Sequence, residues 1–119
     1  MAAMRIARLP SDSWRIWRHE QPMKLLTDEI RRGMPALRSQ EQVADPVVFV
    51  KFFDPCGSWT WFVTEGQPEG DDFCFFGMVH GHEKELGYFM LSELESFRGP
   101  LGLGIERDLY FAPKKLSEI

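Results

Sequence analysis

His80-Gly81-His82-Glu83-Lys84-Glu85 is the densest polar cluster in the chain. Imidazole nitrogens beside a carboxylate make the donor set of two-histidine-one-carboxylate metal sites. Two histidines two apart on a strand project to the same side. Against this, no third ligand stands at a diagnostic spacing, and short motif matches of this kind carry many false positives. The reading is therefore against a metal; were one bound, His80, His82 and Glu83 would hold it. Together with Glu85 they define the alternative function weighed for this chain, a small metal-dependent hydrolase or nuclease. No other cofactor is expected.

The remaining constellations are weaker. Cysteine hydrolase chemistry needs a thiolate paired with a histidine. Cys74 alternates with Phe76 and Met78 and reads as core, while Cys56 lies in a turn with nothing local to depress its pKa. Gly99-Pro100-Leu101-Gly102-Leu103-Gly104 has the glycines of a phosphate loop but follows a helix and lacks the Lys-Ser/Thr pair. Trp59 and Trp61 share one strand face. Aromatic sheet faces stack bases in some RNA-binding folds, but here the neighbouring charges are Asp54, Glu65, Glu69, Asp71 and Asp72. The pair reads as core, or as an anchor for a protein partner, since tryptophan is enriched at interface hot spots. Glu106-Arg107-Asp108 alternates charge on a short strand. An inward Arg107 must be paired to offset its desolvation, with Glu65 or Glu83 as partners, giving either a structural ion pair or an anion site.

These groups need a scaffold, and hydrophobic alternation supplies one. Thr27 caps a helix over Asp28–Arg32, with acids in its first turn, bases in its last, and Gly33 and Pro35 to stop it. A polar loop from Ser39 to Pro46 leads to a strand over Val47–Phe53. Asp54-Pro55-Cys56-Gly57 is a turn, and Trp59–Glu65 closes a hairpin. A loop from Gly66 to Asp72 precedes strands at Phe73–Val79 and Leu86–Leu91, with Gly77 marking a bulge or a close approach by another segment. Ser92 and Glu95 form the capping box of a second helix that ends at Gly99-Pro100. Ile105–Phe111 is expected as a fifth strand, and Pro113 onward as a tail. Short connections between the central strands argue antiparallel pairing. The fold class is α+β: a four- to five-stranded antiparallel meander packed with two short helices.

Composition bounds the rest. With 119 residues, 44% hydrophobic and 27% charged, the chain is of the globular class and of single-domain size. It has no apolar run long enough to span a membrane and only two cysteines, so two free thiols in a reducing cytoplasm are expected. Residues 1–22 hold four arginines against Asp12 and Glu20, a net of +2, whereas the whole chain is −4, which leaves −6 for the remainder. Residues 1–22 are expected to be a flexible basic extension, with Met23 opening a single domain over 23–119. An acidic body repels a phosphate backbone, so direct nucleic-acid binding is disfavoured.

Several motifs in one order carry a family resemblance: Met23-Lys24-Leu25-Leu26-Thr27, Val50-Lys51-Phe52-Phe53, Trp59-Thr60-Trp61, Gly81-His82-Glu83, Glu85-Leu86-Gly87-Tyr88-Phe89, Ser92-Glu93-Leu94, and Gly99-Pro100-Leu101-Gly102-Leu103 followed by Ile105-Glu106-Arg107-Asp108-Leu109. From Met23 to Ile119 the chain resembles the bacterial domain of unknown function family 2958. The resemblance implies bacterial origin and carriage on plasmids, phages and integrative elements, often near antirestriction genes, but no chemistry. His82, Glu83, Glu85, Glu106, Arg107 and Asp108 fall within the family's recurring motifs, and His80 does not. The function expected is that of a non-enzymatic acidic binding protein of mobile elements, an antirestriction or anti-CRISPR type of inhibitor. Its expected partner is a protein, a host defence complex, met through Glu83, Glu85, Asp71 and Asp72 as acidic contacts with Trp59 or Trp61 as anchor.

Overall fold

Three consecutive hairpins make the sheet. The computed structural model describes residues 24–119, and the extension expected at 1–22 lies outside the described residues. Helix α1 spans Asp28–Gly33, and the Thr27 hydroxyl accepts the Ile30 amide at 3.1 Å, which satisfies one of the orphan donors of the first turn. The strands are β1 (Val47–Val48), β2 (Val50–Phe53), β3 (Thr60–Glu69), β4 (Asp72–His80), β5 (Lys84–Met90), β6 (Glu106–Arg107) and β7 (Lys114–Lys115), with helix α2 (Leu91–Ser96) after β5. The main sheet is antiparallel with order β5-β4-β3-β2-β6, and β1 pairs with β7 in a separate two-stranded ribbon. The class is α+β.

Residues directly opposite in an antiparallel pair share a face. Val50, Phe52, Val63, Phe75 and Phe89 fall on one face, where Leu25, Leu94 and Ile105 close over them to form the core. The register of β3 on β4 shifts between Val63 and Glu65, so Thr64 has no opposite residue. This bulge matters because strand alternation would otherwise place Glu65 on the core face with Val63. The extra residue turns Glu65 to the opposite face and brings Gly66 inward, against Phe73, Phe75 and Met34. The bulge also brings the β3 backbone onto Gly77: a Cβ there would stand 1.9 Å from the Phe62 carbonyl oxygen. Gly77 thus marks a close approach, as its place mid-strand suggests.

Glu65 is 4% exposed, and its carboxylate accepts the Arg38 amide at 2.6 Å and the Gln40 amide at 2.8 Å. Gln40 continues the tie: its side-chain amide donates to the Val47 and Thr64 carbonyls and its oxygen accepts the Val47 amide. The polar 36–43 segment is thereby fastened to the outer face of the sheet by side chains where no strand partner exists.

The structure corrects several boundaries. The first strand breaks at Phe49 into β1 and β2. The β3–β4 connection is a tight turn at Gly70 and Asp71, with Gly70 at φ 62°, because the strands run on into the expected loop. The capping box of α2 lies two residues earlier than Ser92/Glu95: Glu93 Oε1 accepts the Met90 amide at 2.8 Å. Ser92 is instead bound by Asp72, which accepts its amide at 3.1 Å and its hydroxyl at 2.5 Å. The C-terminal segment repeats the device in its one-turn 3-10 helix, Leu116–Glu118: Glu118 accepts the Lys115 amide, and Asp45 accepts both the amide and hydroxyl of Ser117. What reads as a tail is therefore anchored. Finally, the fifth strand is two residues long, because Asp108 starts a turn by accepting the Tyr110 amide at 2.9 Å.

Glu65→Ala removes the acceptor of two amides in one step. We expect a loss of roughly 1–3 kcal/mol, read from the denaturant midpoint, because desolvated donors left unpaired carry their full penalty. Glu65→Gln, which keeps one acceptor oxygen, should lose less.

Candidate functional site

One transverse row of the sheet organises the candidate residues: Lys84, His80, Thr60, Phe53 and Glu106 pair in sequence across β5, β4, β3, β2 and β6. Beyond this row lie the turn at 54–59, the turn at 81–83 and the loop at 97–105, all at one end of the sheet. Asp54 shapes its turn by accepting the Cys56 amide at 3.0 Å, and the loop meets that turn where Gly99 approaches the Asp54 carboxylate. The loop closes on itself through Gly99 N–H to the Leu103 carbonyl, with Gly102 at φ 76°.

Trp59 occupies the middle of this end. Its indole lies across Gly81, where a Cβ would stand 2.4 Å from the ring, and it meets His82 edge-on at 5.6 Å between centroids and Trp61 at 6.1 Å. Trp61 packs against the core, while Trp59 remains 38% exposed. Phe97, Leu101 and Leu103 are exposed in the adjacent loop, Leu101 to 78%.

The two histidines diverge. Strand β4 ends at His80, and Gly81 turns the chain by donating to the Glu83 carbonyl. His80 stays on the outer face, ring to ring with Phe62 at 4.9 Å, while His82 goes to Trp59. Glu85 stands opposite Val79, on the core side of the strand edge. Among the described residues, no three of His, Cys, Asp and Glu gather closely enough to share a metal ion. Burial and the nearby Lys84 ammonium both lower the pKa of His80.

The acidic residues divide between two ends. Glu83 and Glu85 are exposed beside the Trp59 turn, whereas Asp71 and Asp72 lie at the far end of the β3–β4 hairpin, roughly 25 Å away by strand rise. Asp71 is exposed. The Asp72 carboxylate is committed to Ser92 and to the Phe73 amide, and these bonds lower its pKa. Cys74 is buried, and burial together with Glu69, Asp72 and Glu93 pushes its thiol pKa up, the reverse of what a nucleophile needs.

Arg107 parts from Glu106 and Asp108 across the sheet. Arg107 stands on the core face opposite Phe52 and donates to the carbonyls of Lys24 and Leu25. This replaces the expected pairing with Glu65 or Glu83: Glu65 sits behind the sheet, and Glu83 lies beyond the transverse row. Asp108 meets Lys51 at 3.5 Å, and Glu106 faces outward with Phe53. An open groove of about 240 Å³ borders Arg107 and Asp108, but its walls are mostly apolar: Ile30, Phe49, Val50, Leu109 and Phe111.

The family model of the protein of unknown function DUF2958 matches residues 25–118. The chain belongs to the DUF2958 family. No curated protein and no solved structure matches it. The match starts at Leu25, whose carbonyl Arg107 holds, and ends inside the C-terminal turn that Asp45 fastens, so both tethers fall within the DUF2958 domain. No helix among the described residues is long and apolar enough to cross a membrane. Sequence reasoning missed Phe97, Leu101 and Leu103 as surface groups; the glycines and proline around them were the available signal, since a short loop closed at both ends has no interior in which to bury three large side chains.

The His80 shift sets a pH dependence. The folded state favours the neutral ring, so the unfolded chain, with an ordinary value of 6.5, takes up a proton first as pH falls. Stability is intact above that value and declines as pH drops from it toward the folded value. His80→Phe, which keeps the contact with Phe62, should flatten this part of the stability profile in chemical denaturation at a series of pH values.

Proposed function

We propose that the protein is a non-enzymatic binding protein whose contact surface is the end of the sheet built by the 54–59 and 81–83 turns and the 97–105 loop. The observation that carries this reading is the exposure of Trp59, Phe97, Leu101 and Leu103 on short turns held by backbone and side-chain bonds. Large apolar groups on a fixed frame lose little conformational entropy on contact, and tryptophan is the commonest kind of anchor at hot spots. The residues best suited to chemistry are otherwise engaged: His80 packs on Phe62, Cys74 is buried, and Asp72 and Asp108 are bound to neighbouring amides.

The partner we infer is a protein with a basic, nucleic-acid-handling surface. Residues 24–119 hold ten lysines and arginines against sixteen aspartates and glutamates, and Glu83 and Glu85 lie exposed beside Trp59. Charge complementarity of this kind raises association rate and selects partners. The carriage on plasmids, phages and integrative elements that the family resemblance implies favours a component of a restriction or CRISPR complex, with the protein as its inhibitor.

The test is the plating of phage or plasmid on a host that carries a defined restriction or CRISPR system. The full chain should raise plating efficiency, and Leu101→Asp or Trp59→Ala should abolish the gain while far-UV circular dichroism stays that of the parent. Unchanged plating with the parent protein against both classes of system overturns the anti-defence reading. Retained activity in both variants overturns the assignment of the surface.

A further inference from the structure

Strand β5 forms one edge of the sheet, and among the described residues no strand pairs with its outer side. It is seven residues long, Lys84-Glu85-Leu86-Gly87-Tyr88-Phe89-Met90. An edge of this length presents a row of unpaired amides and carbonyls, and natural sheets usually shorten, charge or cover such edges. Here the middle of the edge is apolar instead. Leu86 is 55% exposed and Tyr88 is 62% exposed, both on the outer face beside Met78 and Phe76, and the Tyr88 and Phe76 rings lie 4.8 Å apart. The opposite edge, β6, has only two residues.

We propose that the protein associates with a second copy of itself through β5, the two strands antiparallel about a two-fold axis at Gly87, so that two five-stranded sheets become one. Only the register centred on Gly87 sets all seven residues opposite a partner. It sets Leu86 of each copy opposite Tyr88 of the other, so that two apolar cross-strand pairs form on the outer face. At the axis glycine meets glycine, and a Cβ at Gly87 would touch no atom of the described residues within 4 Å, so that position adds no bulk to the pairing. The charges agree as well. Lys84 falls opposite Met90 of the second copy, whose amide is held by Glu93 at 2.8 Å. The arrangement therefore brings a lysine to a carboxylate, and the two-fold axis makes the same pair again. A second copy satisfies the edge by isologous contact and leaves no further edge of that kind open, which limits growth.

The contact meets the Trp59 surface only at the Lys84–Glu85 end of β5. Because the strands run antiparallel, the two Trp59 ends face away from each other along the joined sheet. A single strand pair buries less than a permanent interface, so the equilibrium should be concentration-dependent and in the micromolar range.

Sedimentation equilibrium of the full chain, 13.8 kDa as a monomer, tests the proposal. The expected result is a mass that doubles with concentration and does not rise further. Leu86→Lys combined with Tyr88→Lys should hold the protein at monomer mass, with unchanged circular dichroism because both side chains are already exposed. Hydrogen exchange supplies a second reading: β5 amides should gain protection as concentration rises. A monomer throughout the range overturns the proposal, and so does a dimer that the double variant does not weaken. A monomer whose β5 amides are protected even when dilute would mean that another part of the chain occupies the edge, and that too overturns it.

Discussion

The one-residue bulge in β3 decides what each side of the sheet can do. A strand alternates strictly, so Val63 in the core would draw Glu65 in with it. Thr64 breaks the count, and its hydroxyl ties to the Phe76 carbonyl across the pair at 3.1 Å. Beyond the bulge the chain has exchanged faces. Glu65 leaves the apolar side, where an unpaired carboxylate is untenable, and becomes the anchor of the 36–43 segment. Gly66 takes the inward position and lets Met34 close on the sheet. The cost falls on β4, where Gly77 must be bare for the Phe62 carbonyl to fit. The two faces, the loop and the first helix thus depend on one unpaired threonine and two glycines.

Much of this scaffold is legible in the residues, and what is not has a physical cause. The Thr27 cap and the meander follow from local rules, because a hydroxyl before an acidic turn and runs of β-branched and aromatic residues carry their own geometry. Gly77 signals a close approach, though the extra residue that causes it sits on the facing strand. The capping box of α2 misleads because Ser92 is a good cap in isolation; Asp72, twenty residues earlier, claims it. The same long reach hides the C-terminal turn, where Ser117 depends on Asp45 across 72 positions. Side-chain capping between distant segments leaves no periodic trace.

The candidate site follows the same division. Trp59 and Glu83 are expected to act on one partner, and the structure sets their two turns side by side at one end of the sheet, with Asp71 and Asp72 at the other. The Glu106-Arg107-Asp108 motif resembles a charged site on paper, yet Arg107 clasps backbone carbonyls at the start of the domain and Asp108 ends its strand. A strand sends neighbours to opposite faces, so three adjacent charges converge only where the backbone bends toward one point. Here it bends away. The exposed leucines of the 97–105 loop escaped notice because apolar residues near glycine and proline read as ordinary loop content.

The Arg107 clasp has a consequence for synthesis. It joins residues 82 and 83 positions apart, and Leu25, which it holds, is part of the core. While the chain is being made, the β3–β4–β5 meander can pair from neighbours alone, but Leu25 has no fixed seat until β6 has left the ribosome. Contacts between distant segments form late, because they carry the largest loop-closure entropy. For most of translation the apolar face of the meander is therefore missing its first residue and its last strand. The domain becomes complete only when its end arrives to fasten its beginning.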